Sequence, residues 1–351
     1  MPPSLPRLSE FSRIAVLQTA YLGDVALVLP LMEALRQLHP AAQRALVVIP
    51  ATASLAACAE AVDEVIVYDK HGNDAGLQGL RHCAQRLRHW GAELLLVPHR
   101  SLRTALLTLL VAPRYSVGSA RSALPWVYRA RIPYGWHLHE VERNLAFLSP
   151  FAEGVEWRAL ATLPVKMRPT PEADSWVEQR LRERGIESGR GFVVVAPGSV
   201  WATKRWSPAR YAQLAQLLGA EGYPVVVVGS PAEVALCRAI ADRSGAICLS
   251  GELDIPRLLA LLRRARCVVC NDSAPVHLAE LVGTPVVALF GPTIPQFGFA
   301  PRLPRSSVLE RALPCRPCSL HGGRRCPLRH HACLDGIEPV EVLRQIRPLL
   351  R

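Results

Sequence analysis

Short apolar runs of strand length, separated by stretches of helical pattern, recur along the whole chain and constrain its fold more than any other feature. Arg13 to Gln18, Ala45 to Pro50, Val65 to Tyr68 and Leu94 to Val97 read as strands, with helical pattern in Asp24 to Leu38 and Leu77 to His89. Strand–helix alternation of this kind makes a parallel sheet with helical crossovers. The series restarts after Leu163, where PVKMRPTPEAD, rich in proline and polar residues, reads as a linker. Phe192 to Ala196, Pro224 to Val228, Cys267 to Cys270 and Val286 to Phe290 then follow as strands. Helix starts are marked by Ser207 before Pro208, Ser230 before Pro231, and Asp254 shortly before Pro256. The expectation is an α/β protein of two doubly wound domains, residues 1–165 and 166–351, with the last helix free to pack back on the first domain. Two such domains in tandem put a ligand cleft at the carboxyl ends of their strands.

With 351 residues, half of them hydrophobic, the chain can bury two ordinary cores. No apolar run reaches the roughly 18 to 20 residues of a membrane-spanning helix. The opening MPPSLPRLSEF lacks the apolar stretch of a secretory signal, so a cytoplasmic protein is expected. The net charge of +12 fits an anionic partner, whether nucleic acid, a membrane surface or a phosphorylated substrate, or reflects composition alone. Nucleic acid is the least supported of these, for there is no zinc-finger spacing, RNP motif or basic run. Among 41 basic residues only Lys70, Lys166 and Lys204 are lysine, which makes a lysine inside a phosphate loop conspicuous. Ten cysteines without an export signal indicate a reducing compartment, where Cys58, Cys83, Cys237, Cys248 and Cys267 serve as small apolar residues.

Four segments carry candidate chemistry. In LQTAYLGDVALVLP a strand gives way to a helix at Asp24, which is either a helix cap or a general base aimed at an acceptor hydroxyl. In VVVAPGSVWATKRWSPARYAQL a strand runs into Gly198, Ser199, Thr203 and Lys204, a set of backbone N–H groups, hydroxyls and a cation suited to a diphosphate. The spacing is not that of a Walker loop, and Trp201 and Trp206 read as packing aromatics. Glu233 stands three residues after Ser230, which makes a capping box, a carboxylate for ribose hydroxyls, or both. The fourth segment, CVVCNDSAPVHLAELVGTPVVALFGPT, is the most informative: Asp272, Ser273 and Ala274 lead into a helix whose first turn holds His277 and whose N–H groups and dipole suit a pyrophosphate.

These segments resemble glycosyltransferase family 9, the ADP-heptose:lipopolysaccharide heptosyltransferases. LGDVALVLP, PGSVWATKRWSP, NDSAPVHLAELVGTPVVALFGPT and CRPCSLHGGRRCPLRHHACL carry the likeness in the expected order over nearly the whole chain. PGSVWATKRW and GPTIPQFGFAP most resemble the branch that adds a second heptose to the first. The resemblance implies a GT-B fold of two facing Rossmann-like domains, the first for the acceptor and the second for the nucleotide sugar. It further implies an inverting transfer from ADP-heptose to the lipopolysaccharide inner core at a membrane surface. Asp24 matches the catalytic base, and Thr203 and Lys204 match the donor phosphate site. Asp272, Ser273 and His277 match the loop that holds the ADP diphosphate, and Glu233 falls near the ribose-contacting acid. Some members carry glycine after NDS, where this chain has Ala274. Stabilisation of departing ADP by Lys204 and the helix start implies no metal and no cofactor beyond the donor.

Arg100, Arg103 and Arg121 follow later elements of the first domain and either meet acceptor phosphates or are solvated surface charge. Cys315, Cys318, Cys326 and Cys333 form a C-x2-C-x7-C-x6-C pattern beside His321, His330 and His331, which is either a zinc site or a reduced structural loop. Two other functions share the fold: a nucleotide-sugar epimerase, which needs no acceptor, and an inactive ADP-sugar-binding protein.

Overall fold

The apolar runs form strands because they are buried on both faces, as crossover helices on either side of a parallel sheet require, with Val65 and Val67 at a sheet edge half-buried. The computed structural model describes residues 5–151, 156–187, 189 and 191–350. Contacts group the chain into two units, Met1–Arg168 and Pro169–Arg351.

The first unit runs β1 (Arg13–Leu17), α1 (Leu22–Leu38), β2 (Gln43–Val48), α2 (Pro50–Ala57), β3 (Glu64–Val67), α3 (Gly76–Trp90), β4 (Leu94–Val97), α4 (Leu102–Val111), β5 (Tyr115–Ser119), β6 (Ala130–Ile132) and α5 (Glu140–Leu145). Its strands lie in the order β3-β2-β1-β4-β5-β6, all parallel, with Ala15 between Ala45 and Leu95. Leu17, Val47, Leu80, Leu87, Leu95 and Leu107 belong to the core that α3 and α4 close over one face.

The second unit runs α6 (Pro171–Glu183), β7 (Val193–Ala196), α7 (Pro208–Ala220), β8 (Val225–Val227), α8 (Val234–Ser244), β9 (Ile247–Cys248), α9 (Ile255–Arg264), β10 (Cys267–Asn271), α10 (Ala274–Leu281), β11 (Val286–Phe290), β12 (Ser307–Glu310), α11 (Ala332–Asp335) and α12 (Pro339–Leu350). Its parallel sheet is ordered β12-β11-β10-β7-β8-β9, the same winding as the first. In both sheets the order in which the chain adds strands reverses beside the first strand, between β1 and β4 and between β7 and β10. Such switch points open crevices at the carboxyl ends of the strands, where ligands bind in this class of fold. The final helix α12 gives Val342, Ile346 and Leu350 to the core of its own unit, against α7.

Three details differ from the sequence reading. Helix α1 begins at Leu22, two residues before Asp24, so the carboxylate sits in the first turn and not at the cap. The last four residues of the expected linker, Pro171 to Asp174, are helical, because Thr170 Oγ1 accepts the Ala173 N–H at 3.2 Å and Pro171 opens α6. Strands β5, β6, β9 and β12 fall outside the apolar runs. Sequences such as YSVGS and ARI are short and weakly apolar, and neighbouring strands and helices, not local composition, set them in the sheet. Among the described residues no helix is long and apolar enough to cross a membrane.

Candidate functional site

The switch point of the second unit gathers the residues singled out in PGSVWATK and NDSAP. Asn271, the last residue of β10, is fully buried and ties both loops together. Its side-chain oxygen accepts from Trp206 N and Tyr211 OH, each at 3.0 Å, and its amide donates to Pro197 O at 2.8 Å and Gly198 O at 3.3 Å. Trp206 and Tyr211 therefore pack edge to face beneath the loop, as expected for core aromatics, while Trp201 stays partly exposed.

On this base Lys204 and Asp272 form an ion pair, Nζ to Oδ2 at 2.6 Å, with both side chains largely buried. Thr293 Oγ1 donates to the same carboxylate oxygen at 2.6 Å. Ser273 precedes the first turn of α10 and directs its hydroxyl to Gly198 O at 3.4 Å and Asn271 O at 3.3 Å. Ala274 begins the helix, so its methyl, where a glycine would leave backbone bare, lies on the first turn. His277 is buried within that turn, and its Nδ1 has no hydrogen-bond partner among the described residues. Burial pushes its imidazole down to about 4, with Asp272 opposing and Lys204 reinforcing the shift. The ring is thus neutral at ordinary pH, beside one paired cation and an N-terminal helix dipole.

Glu233 closes the other side. Its carboxylate accepts from Ser230 N at 2.9 Å and Ser230 Oγ at 2.8 Å, which is the capping box. The remaining oxygen presses on Gly198, where an added Cβ would lie 1.9 Å from Glu233 Oε1. A side chain there would have to displace the Glu233 carboxylate from its capping bonds, while the Gly198 backbone angle itself sets no demand. Ser199 is buried, and its carbonyl accepts from Arg205 Nε at 2.8 Å.

The segment read from sequence as either a zinc site or a reduced structural loop is a strap that fixes these loops, through partners the sequence does not reveal. Cys318 N donates to Pro292 O at 2.8 Å, and the largely buried Arg316 donates to Thr293 O and Glu310 Oε2, each at 2.7 Å, and to Gly291 O. Gly323 N donates to Thr203 Oγ1 at 2.7 Å, and that hydroxyl donates back to Gly323 O at 3.0 Å. The Thr203 hydroxyl, expected on a phosphate, is therefore engaged by the strap. Gly322, at φ +90°, approaches Lys204 so closely that a Cβ would lie 3.1 Å from Lys204 Cγ.

The cysteine quartet lies in this strap. All ten cysteines are free thiols, and among the described residues no three His, Cys, Asp or Glu side chains form a metal-holding group. Cys318, Cys326 and Cys333 border a cavity of about 80 Å³ together with Thr203 and His331. Burial and its neighbours Cys315 and Cys326 raise the Cys318 thiol. Cys326 is held below the ordinary thiol value: burial opposes this, but the N–H groups of His331, Leu328, His330 and Arg329 point at its sulfur.

In the first unit Asp24 lies in the opening turn of α1, and Lys70 and His99 meet at Thr19 just after β1. Asp24 Oδ2 accepts the Tyr21 N–H at 3.1 Å, so it supports the helix start, and the residue is half-buried. At the end of β1, Lys70 Nζ donates to Thr19 O at 2.6 Å, and Thr19 Oγ1 meets His99 Nδ1 at 3.2 Å. Burial, then Arg103, lowers the Lys70 ammonium; burial, then Lys70 and Arg100, pushes His99 down to about 4. Neither residue was selected from sequence, although the scarcity of lysine applied to Lys70 as much as to Lys204. Arg103 donates to Tyr68 OH at 3.2 Å. Arg100 and Arg121 converge instead on an aromatic pair, with Arg100 4.5 Å over Tyr134 and Arg121 4.9 Å over Trp136.

A family model described as glycosyltransferase family 9 (heptosyltransferase) matches residues 80–325. The chain is 29% identical over 320 residues to lipopolysaccharide heptosyltransferase 1 of Pseudomonas aeruginosa, covering 87% of this chain and 86% of that protein. Among solved structures, a family 9 glycosyltransferase from Veillonella parvula matches with a TM-score of 0.85 at 22% identity, covering 97% of each chain. The Escherichia coli ADP-heptose lipopolysaccharide heptosyltransferase II matches with a TM-score of 0.77 at 23% identity, covering 96% of this chain and 98% of that one. The two structures share the GT-B fold of paired Rossmann-like domains with this chain.

Proposed function

The chain belongs to glycosyltransferase family 9, the lipopolysaccharide heptosyltransferases, and from that premise we propose that it transfers heptose from ADP-heptose to the inner core, adding the second heptose to the first. The observation that carries this reading is the Lys204–Asp272 pair at the start of α10, beside a neutral buried histidine. A carboxylate alone repels a diphosphate. Paired with Lys204 and Thr293, Asp272 is neutralised and aims an ammonium that still has two N–H groups to offer.

In the proposed reaction Asp24 takes the proton of an acceptor hydroxyl as its oxygen bonds to the anomeric carbon. The bond from that carbon to the ADP oxygen breaks, its electron pair leaves with ADP, and the anomeric configuration inverts. Lys204 and the N-terminus of α10 stabilise the charge that develops on the diphosphate. Gly198, Ser199, Ser273, Ala274 and His277 line its binding loops, Thr203 fixes Lys204 through the strap, and Glu233 accepts from the ribose. The first unit binds the acceptor, with Arg100, Arg103 and Arg121 for its anionic groups. No metal or added cofactor enters this scheme. The acceptor's lipid anchor puts the enzyme on the cytoplasmic face of the inner membrane.

The second-heptose assignment rests on PGSVWATKRW and GPTIPQFGFAP. A first-heptose reading is favoured by the near full-length match to a heptosyltransferase 1. Incubation with ADP-heptose and core acceptors of increasing length tests both. The proposal expects a heptose mass gain on the acceptor that already carries one heptose. A gain on the heptose-free acceptor alone overturns the second-heptose assignment, and no gain on any overturns the transferase reading.

A further inference from the structure

Between Glu93 and Glu140 the chain runs for 46 residues, 94–139, without one aspartate or glutamate, and it carries six arginines there. Arg114 pairs with Glu10 at 3.0 Å. The ion pairs formed among the described residues include none from Arg100, Arg103, Arg121, Arg129 or Arg131. Five of the six arginines therefore form no ion pair among the described residues, and of these Arg129 and Arg131 are exposed on the edge strand β6 and just before it.

The same stretch exposes apolar bulk. Leu102, Leu106 and Leu109 stand at i, i+4 and i+7 on α4 and so share one helix face, with Leu102 52% and Leu109 44% exposed. The turn Pro125–Val127 packs on α4 and turns out Trp126, 66% exposed. Isolated exposed leucines are ordinary on soluble surfaces. A leucine stripe beside an exposed tryptophan, with exposed arginines three and five residues further along the chain, has the composition of an element lying in a lipid interface, where indole rings sit at headgroup level and guanidinium groups meet phosphates. Nucleic acid would use the arginines but leave the leucines without a partner.

We propose that this face docks on an anionic lipid bilayer, with Trp126, Leu102 and Leu109 entering the headgroup region and Arg129 and Arg131 on lipid phosphates. The surface deepens the peripheral location given above and gives it residues. Its contribution is independent of the transfer chemistry, because neither Trp126 nor Arg129 nor Arg131 belongs to the proposed donor or acceptor sites.

The test is co-sedimentation of the full chain with vesicles of phosphatidylethanolamine and phosphatidylglycerol, against vesicles of phosphatidylcholine alone. The expected result is salt-sensitive binding to the anionic vesicles only. Arg129→Ser with Arg131→Ser weakens it about 25-fold, at about fivefold for each arginine near the surface, and Trp126→Ser weakens it about tenfold. Far-UV circular dichroism and ADP binding confirm that the variants are folded. Transfer to a soluble, lipid-free acceptor is unchanged in them, so loss of transfer in the wild type would sink the enzymatic reading alone. Equal binding to phosphatidylcholine, or variants that bind anionic vesicles as well as the wild type does, overturns the surface. So does duplex DNA that displaces the protein from vesicles through the same two arginines.

Discussion

Lys204 Nζ lies 2.6 Å from Asp272 Oδ2, which joins the PGSVWATK loop to the start of α10 through one largely buried ion pair. Removing one side of such a pair leaves the other charge uncompensated. Lys204→Met is expected to destabilise the second unit by about 3 kcal/mol, near the low end for buried pairs because Thr293 still satisfies the carboxylate. That is a fall of roughly 6–12 °C in its melting temperature. Turnover falls on the order of 10²–10³-fold, as loss of a donor to developing charge does. Adding Asp272→Asn restores stability but not turnover. A Lys204→Met enzyme with near wild-type turnover would show that the pair is only structural.

Asp24 is expected to separate chemistry from binding. Its carboxylate accepts the Tyr21 N–H, a bond that an asparagine oxygen can still accept. Asp24→Asn should therefore leave folding and ADP affinity intact while turnover falls on the order of 10²–10⁴-fold. Isothermal titration with ADP beside a transfer assay reads both quantities. Persistence of transfer removes the base, and the absence of transfer in the wild type identifies an ADP-binding protein.

The sheets and the two loops that meet at the switch point of the second unit are legible because long valine and leucine runs and Gly–Pro–Ser–Asp turns act locally. Long-range partnerships were not legible. Nothing in RCPLRHHAC indicates that the strap before it, Cys315 to Gly323, would hold Pro292 and Thr203, residues 26 and 120 positions away in sequence. The helix begins before Asp24 although Gly23 is a poor helix former, because the Tyr21 carbonyl already accepts the Val25 N–H at 3.1 Å and the Asp24 carboxylate turns back to the Tyr21 N–H. Asn271 stands inside NDSAP, and nothing in that segment indicates that its four hydrogen bonds make it the structural pin beneath both loops.

Asn271→Asp tests that pin with an isosteric change. The amide donates to two carbonyls, Pro197 O and Gly198 O, in a fully buried setting. A carboxylate there sets an acceptor against two acceptors and buries a charge without a partner. The expected cost is about 3 kcal/mol or more, seen as a lower urea midpoint for the second unit, together with weaker ADP binding as both loops loosen. A variant as stable as the wild type would mean that the loops hold their shape by other contacts.

Gly198 and Glu233 should be energetically coupled. A methyl on Gly198 would sit 1.9 Å from Glu233 Oε1, and that carboxylate is held in place by its capping bonds to Ser230. Gly198→Ala is expected to cost about 1–3 kcal/mol through overpacking. Glu233→Ala loses the cap but opens the space, so the double variant should be more stable than the sum of the single changes predicts, with a coupling of about 0.5–3 kcal/mol. Strict additivity would rule out the contact.

His277 predicts the acid side of the stability profile. Its folded value near 4 lies below the ordinary histidine value of 6.5, with burial the main cause, Asp272 opposing it and Lys204 adding to it. Between those values the unfolded chain binds the proton and the folded chain does not. Stability therefore rises with pH through this window and is lost as pH falls from about 6.5 towards 4. A shift of this size corresponds to at most about 3 kcal/mol, with no further loss from this group below pH 4. Glu280 works in the opposite sense, because burial raises its carboxyl above the ordinary value and the folded state keeps its proton longer. Comparing the wild type with His277→Gln cancels that contribution. The urea midpoint of the second unit should fall more steeply between pH 6.5 and 4 in the wild type than in the variant, at constant m. Parallel profiles would mean that the imidazole takes up its proton as readily in the folded state as in the unfolded chain, and the partner proposed for the diphosphate would then be a cation below its ordinary value of 6.5.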